Sequence, residues 1–366
     1  QPLRVSFVPT THTGLSRLSE LAAVRSTGRD GRDLVFAGKA GIFYFARGPG
    51  GYRGQAPLAG SSGFVEAADI TNSGRFDFVA SGALWLAGPS GWRRTAGSDA
   101  EAATPIDFDS DGDLDLYFSS SRGDRLMRNN LDGTWTDATR TAGLPPSIGS
   151  RGAVVGDFDR DGDPDMIVLR ASGGPILLDN LRGGRFAEKA GGLPRDDVLA
   201  AATGDLDSDG RLDLVWTRGD GAFTARNGGE GSFAAPKALP AAGRPLCADF
   251  DNDGFLDLIL ASPGGPSTAL RGDGTGGFAR WEVGVLPAAR DAEAVDSDGD
   301  GDLDVVFVTA EGRAVIFENR GGNANGWVDV ALEGLPTGSA KVNRAGYGSE
   351  IELKAQELYV YRVANR

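Results

Sequence analysis

The chain has 366 residues, 40% hydrophobic and 24% charged, which is enough to bury a large core. Its formal net charge of −14 and the lack of any basic stripe argue against nucleic acid as a partner. One Cys (Cys247) excludes an intrachain disulfide, and one His (His12) excludes both a His-based zinc site and the usual nucleophilic triads. No apolar run reaches the roughly 18 residues of a membrane span.

The chain begins at Gln1-Pro2, without an initiator Met or a signal peptide, and reads as a processed or trimmed start. Residues 7–15 are similar to residues 135–144, which form the outer strand of a repeat unit, yet no inner strands precede them. They are expected to complete the last unit of a closed ring. Such a clasp removes the open edges of a linear array.

An aspartate pattern then recurs seven times, with its last Asp at 33, 77, 115, 165, 213, 257 and 304, at spacings of 38 to 50 residues. Repeats of that length mean stacked supersecondary units. The clearest copy is Asp107-Phe108-Asp109-Ser110-Asp111-Gly112-Asp113-Leu114-Asp115. Four more are intact: Asp157, Asp159, Asp161, Asp163 and Asp165; Asp205, Asp207, Asp209, Arg211 and Asp213; Asp249, Asp251, Asp253, Phe255 and Asp257; Asp296, Asp298, Asp300, Asp302 and Asp304. Alternate carboxylates around a Gly-forced turn converge on one point and form an oxygen cage for a hard cation, which selects Ca²⁺. The seventh residue varies freely (Asp113, Asp163, Arg211, Phe255, Asp302), so it is expected to give its backbone carbonyl. An EF-hand is excluded, because the twelfth position is Phe118 and the flanks read as strands. About five Ca²⁺ are expected, and five divalent charges would reduce the net charge of −14 to about −4.

Two copies are eroded. The first has Arg25 and Arg29 where a cage needs acids and is expected to be structural. The second, from Asp69 to Asp77, keeps two Asp and two hydroxyls and could close by hydrogen bonds alone.

Each unit reads as four short strands. In the unit of Asp165 these are residues 153–156, 166–169, 176–178 and 185–189, with the inner ones apolar and the last amphipathic. In the unit of Asp213 the last strand is expected at Phe233. The predicted fold is all-β: a seven-bladed β-propeller of four-stranded antiparallel blades over residues 1–320, closed by the N-terminal strand, with a short β extension over 321–366.

These loops resemble the FG-GAP/VCBS repeats of integrin α-subunit propellers and their bacterial relatives. Beyond them, Asn323-Ala324-Asn325-Gly326-Trp327 and Asn343-Arg344-Ala345-Gly346-Tyr347-Gly348 resemble the opening of an ASPIC/UnbV domain, with Tyr347 at a usually aliphatic place. That pairing occurs in proteins similar to cartilage acidic protein and in bacterial secreted or envelope proteins. The resemblance implies a Ca²⁺-binding, adhesion-like module that is extracellular, periplasmic or in the cell envelope. It would be a monomer without membrane insertion, its partner an extracellular protein or glycan.

Against this non-catalytic reading stand a polysaccharide lyase or hydrolase on the same scaffold and a structural spacer. Arg151, Arg195, Arg244 and Arg290 precede successive inner strands and could ring one face as an anionic-ligand site, or be solvated surface arginines. Three Arg-Gly-Asp triplets end at Asp124, Asp220 and Asp273, where turn chemistry alone also favours Gly-Asp. The six Trp could offer a carbohydrate platform, but fall mainly in blade strands and are expected to pack.

Overall fold

A computed structural model describes residues 7–12, 18–25, 32–48, 51–58, 60, 62–97, 99–146, 148–321, 325–335, 342–355 and 358–364. Among them there is no helix; the strands form seven four-stranded antiparallel sheets and one two-stranded hairpin. We number the sheets as blades 1 to 7 in chain order. Blade 3, for example, runs Ala102–Ile106, Asp115–Ser119, Arg125–Asn129 and Trp135–Asp137 from inside to outside.

Blade 7 takes its outermost strand from the other end of the chain. Phe7–His12 pairs antiparallel with Ala314–Asn319, Phe7 opposite Asn319 and His12 opposite Val315. The innermost strands meet in a closed circuit, with Leu18–Arg25 of blade 1 against both Val65–Ala68 of blade 2 and Ala289–Val295 of blade 7. The predicted clasp is therefore the observed closure.

The second strand of each blade is buried on both faces, which is why it reads as an unbroken apolar run. Successive side chains of a strand point to opposite sides. In blade 4, Met166 and Val168 face blade 3, whereas Ile167 and Leu169 face blade 5. In blade 6, Leu258 and Leu260 face blade 5, and Ile259 and Ala261 face blade 7. The core is thus divided into seven clusters, one at each interface between neighbouring blades. Full burial stabilises each large side chain by about 1.5–3 kcal/mol.

One strand differs from expectation. The outermost strand of blade 5 is Lys237–Ala238, not the segment at Phe233. Phe233 makes an isolated bridge to Asn227 and fills the blade 4–5 interface, because its ring packs edge-on against Phe158. Of the tryptophans, Trp85 and Trp216 are buried, Trp92, Trp135 and Trp281 pack against interfaces, and Trp327 is 50% exposed.

Past blade 7 the described residues return to the propeller. Glu350–Ala355 and Leu358–Val363 form a hairpin, and Tyr361, 1% exposed, enters the blade 4–5 cluster. Tyr347 packs against the blade 2–3 cluster.

Candidate metal centres

Each loop joins the innermost strand of a blade to the second. The backbone builds the turn first. In blade 3 the Asp107 carboxylate accepts from the amides of Asp111 (3.1 Å) and Gly112 (3.0 Å), and Asp111 accepts from Asp113 N (3.1 Å). The first Asp caps the sixth residue likewise in blades 4 to 7, at Gly162 (2.9 Å), Gly210 (3.1 Å), Gly254 (2.8 Å) and Gly301 (3.2 Å). The chain turns through left-handed backbone at two places. The sixth residue is always Gly, as at Gly112 (φ 83°), and the fourth is Ser110 (57°), Arg160 (63°), Ser208 (60°), Asn252 (53°) or Gly299 (85°).

The ninth-position carboxylate closes the ring. Asp115 accepts from Phe108 N (3.3 Å) and from Asn129 N (2.8 Å) on the third strand. Asp165, Asp213, Asp257 and Asp304 repeat both contacts with their own partners.

These constraints bring carboxylate oxygens within 4.8 Å of one another in five groups: Asp107, Asp109 and Asp115; Asp157, Asp159 and Asp165; Asp205, Asp207 and Asp213; Asp249, Asp251 and Asp257; Asp296, Asp298 and Asp300. In blades 3 to 6 the cluster is positions one, three and nine. Position five (Asp111, Asp161, Asp209, Asp253) caps the amide two residues on instead. The seventh-position side chains serve elsewhere: Asp163 pairs with Arg182 (2.8 Å), and Arg211 donates to Asn227 O (2.8 Å).

Position three shows what the cage is suited to hold. One oxygen of each carboxylate meets a base outside the ring: Asp109 with Arg128 (2.7 Å), Asp159 with Lys189 (2.8 Å), Asp207 with Arg226 (2.8 Å) and Asp251 with Arg271 (2.6 Å). The other oxygen, Oδ1, is buried without a hydrogen-bond partner in all four. An orphaned buried anion oxygen costs several kcal/mol unless something neutralises it. Four copies of the same defect fit a cation, and an all-oxygen donor set fits a hard one.

The titration of the ring agrees. Burial, with smaller contributions from neighbouring carboxylates, pushes Asp115 and Asp257 up to about 8 and Asp165, Asp213 and Asp304 to about 7. Burial raises Asp107 and Asp249 to about 6. Carboxyl groups raised this far are those whose negative charge is buried without full compensation.

The eroded loop of blade 2 closes without acids in excess. Asp69 accepts from Ser73 N (2.7 Å) and Gly74 N (2.6 Å), Thr71 Oγ1 donates to Ser73 Oγ (3.0 Å), and Asp77 accepts from Thr71 N (2.7 Å). The corresponding turn of blade 1, with Arg29, lies outside the described residues.

A recurring Asn, whose role the sequence reading did not assign, couples the loops. Asn129, Asn180, Asn227 and Asn319 each donate Nδ2 to the second-position carbonyl of the preceding blade's loop, at Ile70 (2.8 Å), Phe108 (2.9 Å), Phe158 (2.7 Å) and Phe250 (2.7 Å). Blade 6 has Gly272 at that place, and the amide of Gly276 reaches Leu206 O (3.0 Å) instead. The spacing was a usable signal, since these Asn follow the last Asp by 14 or 15 residues.

Three of the four candidate anionic-ligand arginines stand at the start of an innermost strand. Arg151 and Arg290 are second residues of the innermost strands of blades 4 and 7, and Arg244 is the first residue of that strand in blade 6. Arg195 lies five residues ahead of Ala200–Gly204, in a loop. Arg151 and Arg290 donate to the carbonyls of Arg170 (3.1 Å) and Ala310 (2.9 Å), and Arg244 pairs with Asp291 (3.2 Å). The Arg-Gly-Asp triplets are engaged internally: Asp124 is buried and accepts from Tyr117 Oη (2.5 Å), Arg218 pairs with Asp220 (2.8 Å) and Asp196, and Arg271 holds Asp251. Cys247 packs against the blade 5–6 cluster, and burial pushes its thiol up to about 12, away from reactivity.

Residues 107–168 and 249–307, which span the loops of blades 3, 4, 6 and 7, match the FG-GAP-like repeat. The protein is a seven-bladed propeller carrying FG-GAP-like repeats. No curated protein matches the chain. Among solved structures, it is similar to an Agrocybe aegerita lectin described as recognising non-reducing terminal N-acetylglucosamine, at 17% identity and TM-score 0.57, covering 82% of this chain and 93% of the lectin. It is also similar to the Neurospora crassa Pan2 WD40 domain, at 10% identity and TM-score 0.55, covering 85% and 90%. The extracellular domain of a one-component system from B. thetaiotaomicron matches at 12% identity and TM-score 0.54, covering 85% of this chain and 39% of that one. Identities this low establish the propeller fold alone. The ASPIC/UnbV resemblance has no counterpart among these matches.

Proposed function

We propose that this propeller is a non-catalytic recognition module that works outside the cytoplasm, with Ca²⁺ filling the loops of blades 3 to 7. The observation that carries the metal reading is the inward Oδ1 of Asp109, Asp159, Asp207 and Asp251, buried and unpartnered at the same position of four loops. In blades 3 to 6 positions one, three and nine would hold the ion, and in blade 7 positions one, three and five (Asp296, Asp298 and Asp300), with the seventh-position carbonyl completing the shell. Bound Ca²⁺ supplies charge neutralisation and fixes the turn; nothing in this reading requires it to act on a substrate. Repetition around the ring favours a scaffold role, because a reaction centre would break the symmetry.

FG-GAP-like repeats suggest recognition or adhesion, and loops of extracellular-module affinity, at about 10⁻⁴–10⁻³ M, would fill where Ca²⁺ is abundant. The partner is an extracellular protein or glycan, met by a monomer at the end of the channel opposite the loops. Residues 321–366 we read as an ASPIC/UnbV-like extension. The test is a glycan and matrix-protein array probed in millimolar Ca²⁺ and again in EDTA. A ligand lost in EDTA supports the reading. Turnover of an acidic polysaccharide would overturn it in favour of an enzyme.

A further inference from the structure

The sixth-position glycine has a second task in four of the loops. A Cβ at Gly74 would lie 2.9 Å from Arg344 Nε, one at Gly210 2.5 Å from Tyr359 Oη, and one at Gly254 2.6 Å from Leu358 Cδ1. One at Gly301 would overlap the Trp327 ring. All four partners lie in the described C-terminal segments 325–335, 342–355 and 358–364, which therefore lie over the loop end of the propeller and seat a side chain on each of these turns.

Polar contacts follow the same path. Asn325 Nδ2 donates to Asp251 O (2.9 Å) and Arg344 N to Asn72 Oδ1 (2.7 Å). Glu352 pairs with Arg160 (3.0 Å), whose guanidinium lies over the Tyr361 ring at 5.6 Å. Arg362 donates to Gly254 O (3.1 Å) and lies 4.0 Å from Asp249. Loops of blades 2, 4, 5, 6 and 7 are all touched.

We propose that the C-terminal segments 325–335, 342–355 and 358–364 act as a strap that docks on the propeller only while the loops hold their cage shape, so that divalent-cation loading fastens it and cation loss releases it. This rests on the metal reading above. An emptied ring leaves three carboxyl groups with oxygens within 4.8 Å of one another, and the repulsion of the charge they carry displaces the turn on which the glycine lies. Seats defined by a bare Cα and a carbonyl do not tolerate such a shift. Blade 2 differs: Thr71 and Ser73 stand where the other loops carry acids and bond each other, so no crowded carboxylates displace its turn and Arg344 remains as a cation-independent tether near Asp69. Coupling of two sites is reciprocal, so the strap must in turn raise the affinity of the loops it covers.

The experiment is hydrogen exchange of the full chain in Ca²⁺ and in EGTA, with bound Ca²⁺ counted on the same samples. Amides of Glu350–Ala355 and Leu358–Val363 should exchange about 5- to 150-fold more slowly in Ca²⁺, the range of a typical coupling, while Asp165–Arg170 stays protected in both. Equal rates with Ca²⁺ bound overturn the strap and leave the cage reading standing. No bound Ca²⁺ overturns both. If EGTA unfolds the whole propeller, the reciprocal arm decides. Leu358→Ala with Tyr359→Ala should weaken Ca²⁺ binding by about the same factor at the loops of blades 5 and 6, and unchanged affinity overturns the strap.

Discussion

Replacing Asn180 by Ala tests the coupling between blades. Asn180 is 2% exposed, and its Nδ2 donates to Phe108 O (2.9 Å) across the interface and to Pro164 O (3.2 Å) within its own loop. Its backbone amide, which holds Asp165 at 2.8 Å, is untouched. The substitution therefore removes two hydrogen bonds and leaves two carbonyls short of a donor in a buried setting. At about 0.5–1.5 kcal/mol for each net bond, plus desolvation of the orphaned acceptors, the loss should be about 2–4 kcal/mol. Unfolding entropy for 366 residues is about 0.8 kcal/mol per degree, so the melting temperature should fall by about 3–5 °C. Calorimetry in saturating Ca²⁺ measures it. A shift below about 1 °C would refute the claim that this Asn ties one loop to the next.

Three further outcomes follow from the same geometry. The ninth-position carboxyls have folded pKa values of about 7 to 8 without cation, above their unfolded values, so the folded chain binds more protons. The stability of the Ca²⁺-free protein should therefore fall as pH rises from the ordinary carboxylate range through about 8; excess Ca²⁺ should flatten that slope, as melting curves across pH will show. Asp251→Asn should lower bound Ca²⁺ by one per chain in equilibrium dialysis and leave the melting temperature in EDTA nearly unchanged, because the lost ion pair with Arg271 (2.6 Å), which keeps Asp253 (2.9 Å), is offset by removing a buried charge that neighbouring carboxylates repel. Tyr361→Ala should cost about 3–5 kcal/mol in denaturant unfolding, since it empties a site in the blade 4–5 cluster and frees Glu350 from its hydroxyl at 2.7 Å.

The architecture was legible because each blade writes its own signature. Alternate residues of the second strand serve two interfaces, so runs such as Met166 to Leu169 are apolar throughout, and the Asp-Gly turns mark where each begins. The clasp was legible because residues 7–15 repeat an outer strand that lacks inner ones. The loops were read as ligand sets of alternate carboxylates, yet the fold divides them: positions one, three and nine converge in blades 3 to 6, while position five caps the turn. That division depends on where the left-handed residues fall, and only Asn252 and Gly299 advertise it in their residue type. The outer strand of blade 5 was misplaced because Phe233 satisfies an aromatic pattern while packing between blades. The strap left no signal at all, since its seats are glycines already required by the turns, and proximity of residue 359 to residue 210 is a product of the closed ring.

The most direct test of the account is the Ca²⁺ content of the purified protein, counted by equilibrium dialysis alongside calorimetry with and without EDTA. The account predicts about five ions per chain, one for each acidic cluster. At millimolar Ca²⁺ and affinities of about 10⁻⁴–10⁻³ M, five sites together stabilise by about 2–7 kcal/mol. EDTA should then lower the melting temperature by about 3–9 °C. A protein that binds no Ca²⁺ and melts at the same temperature in EDTA would contradict it.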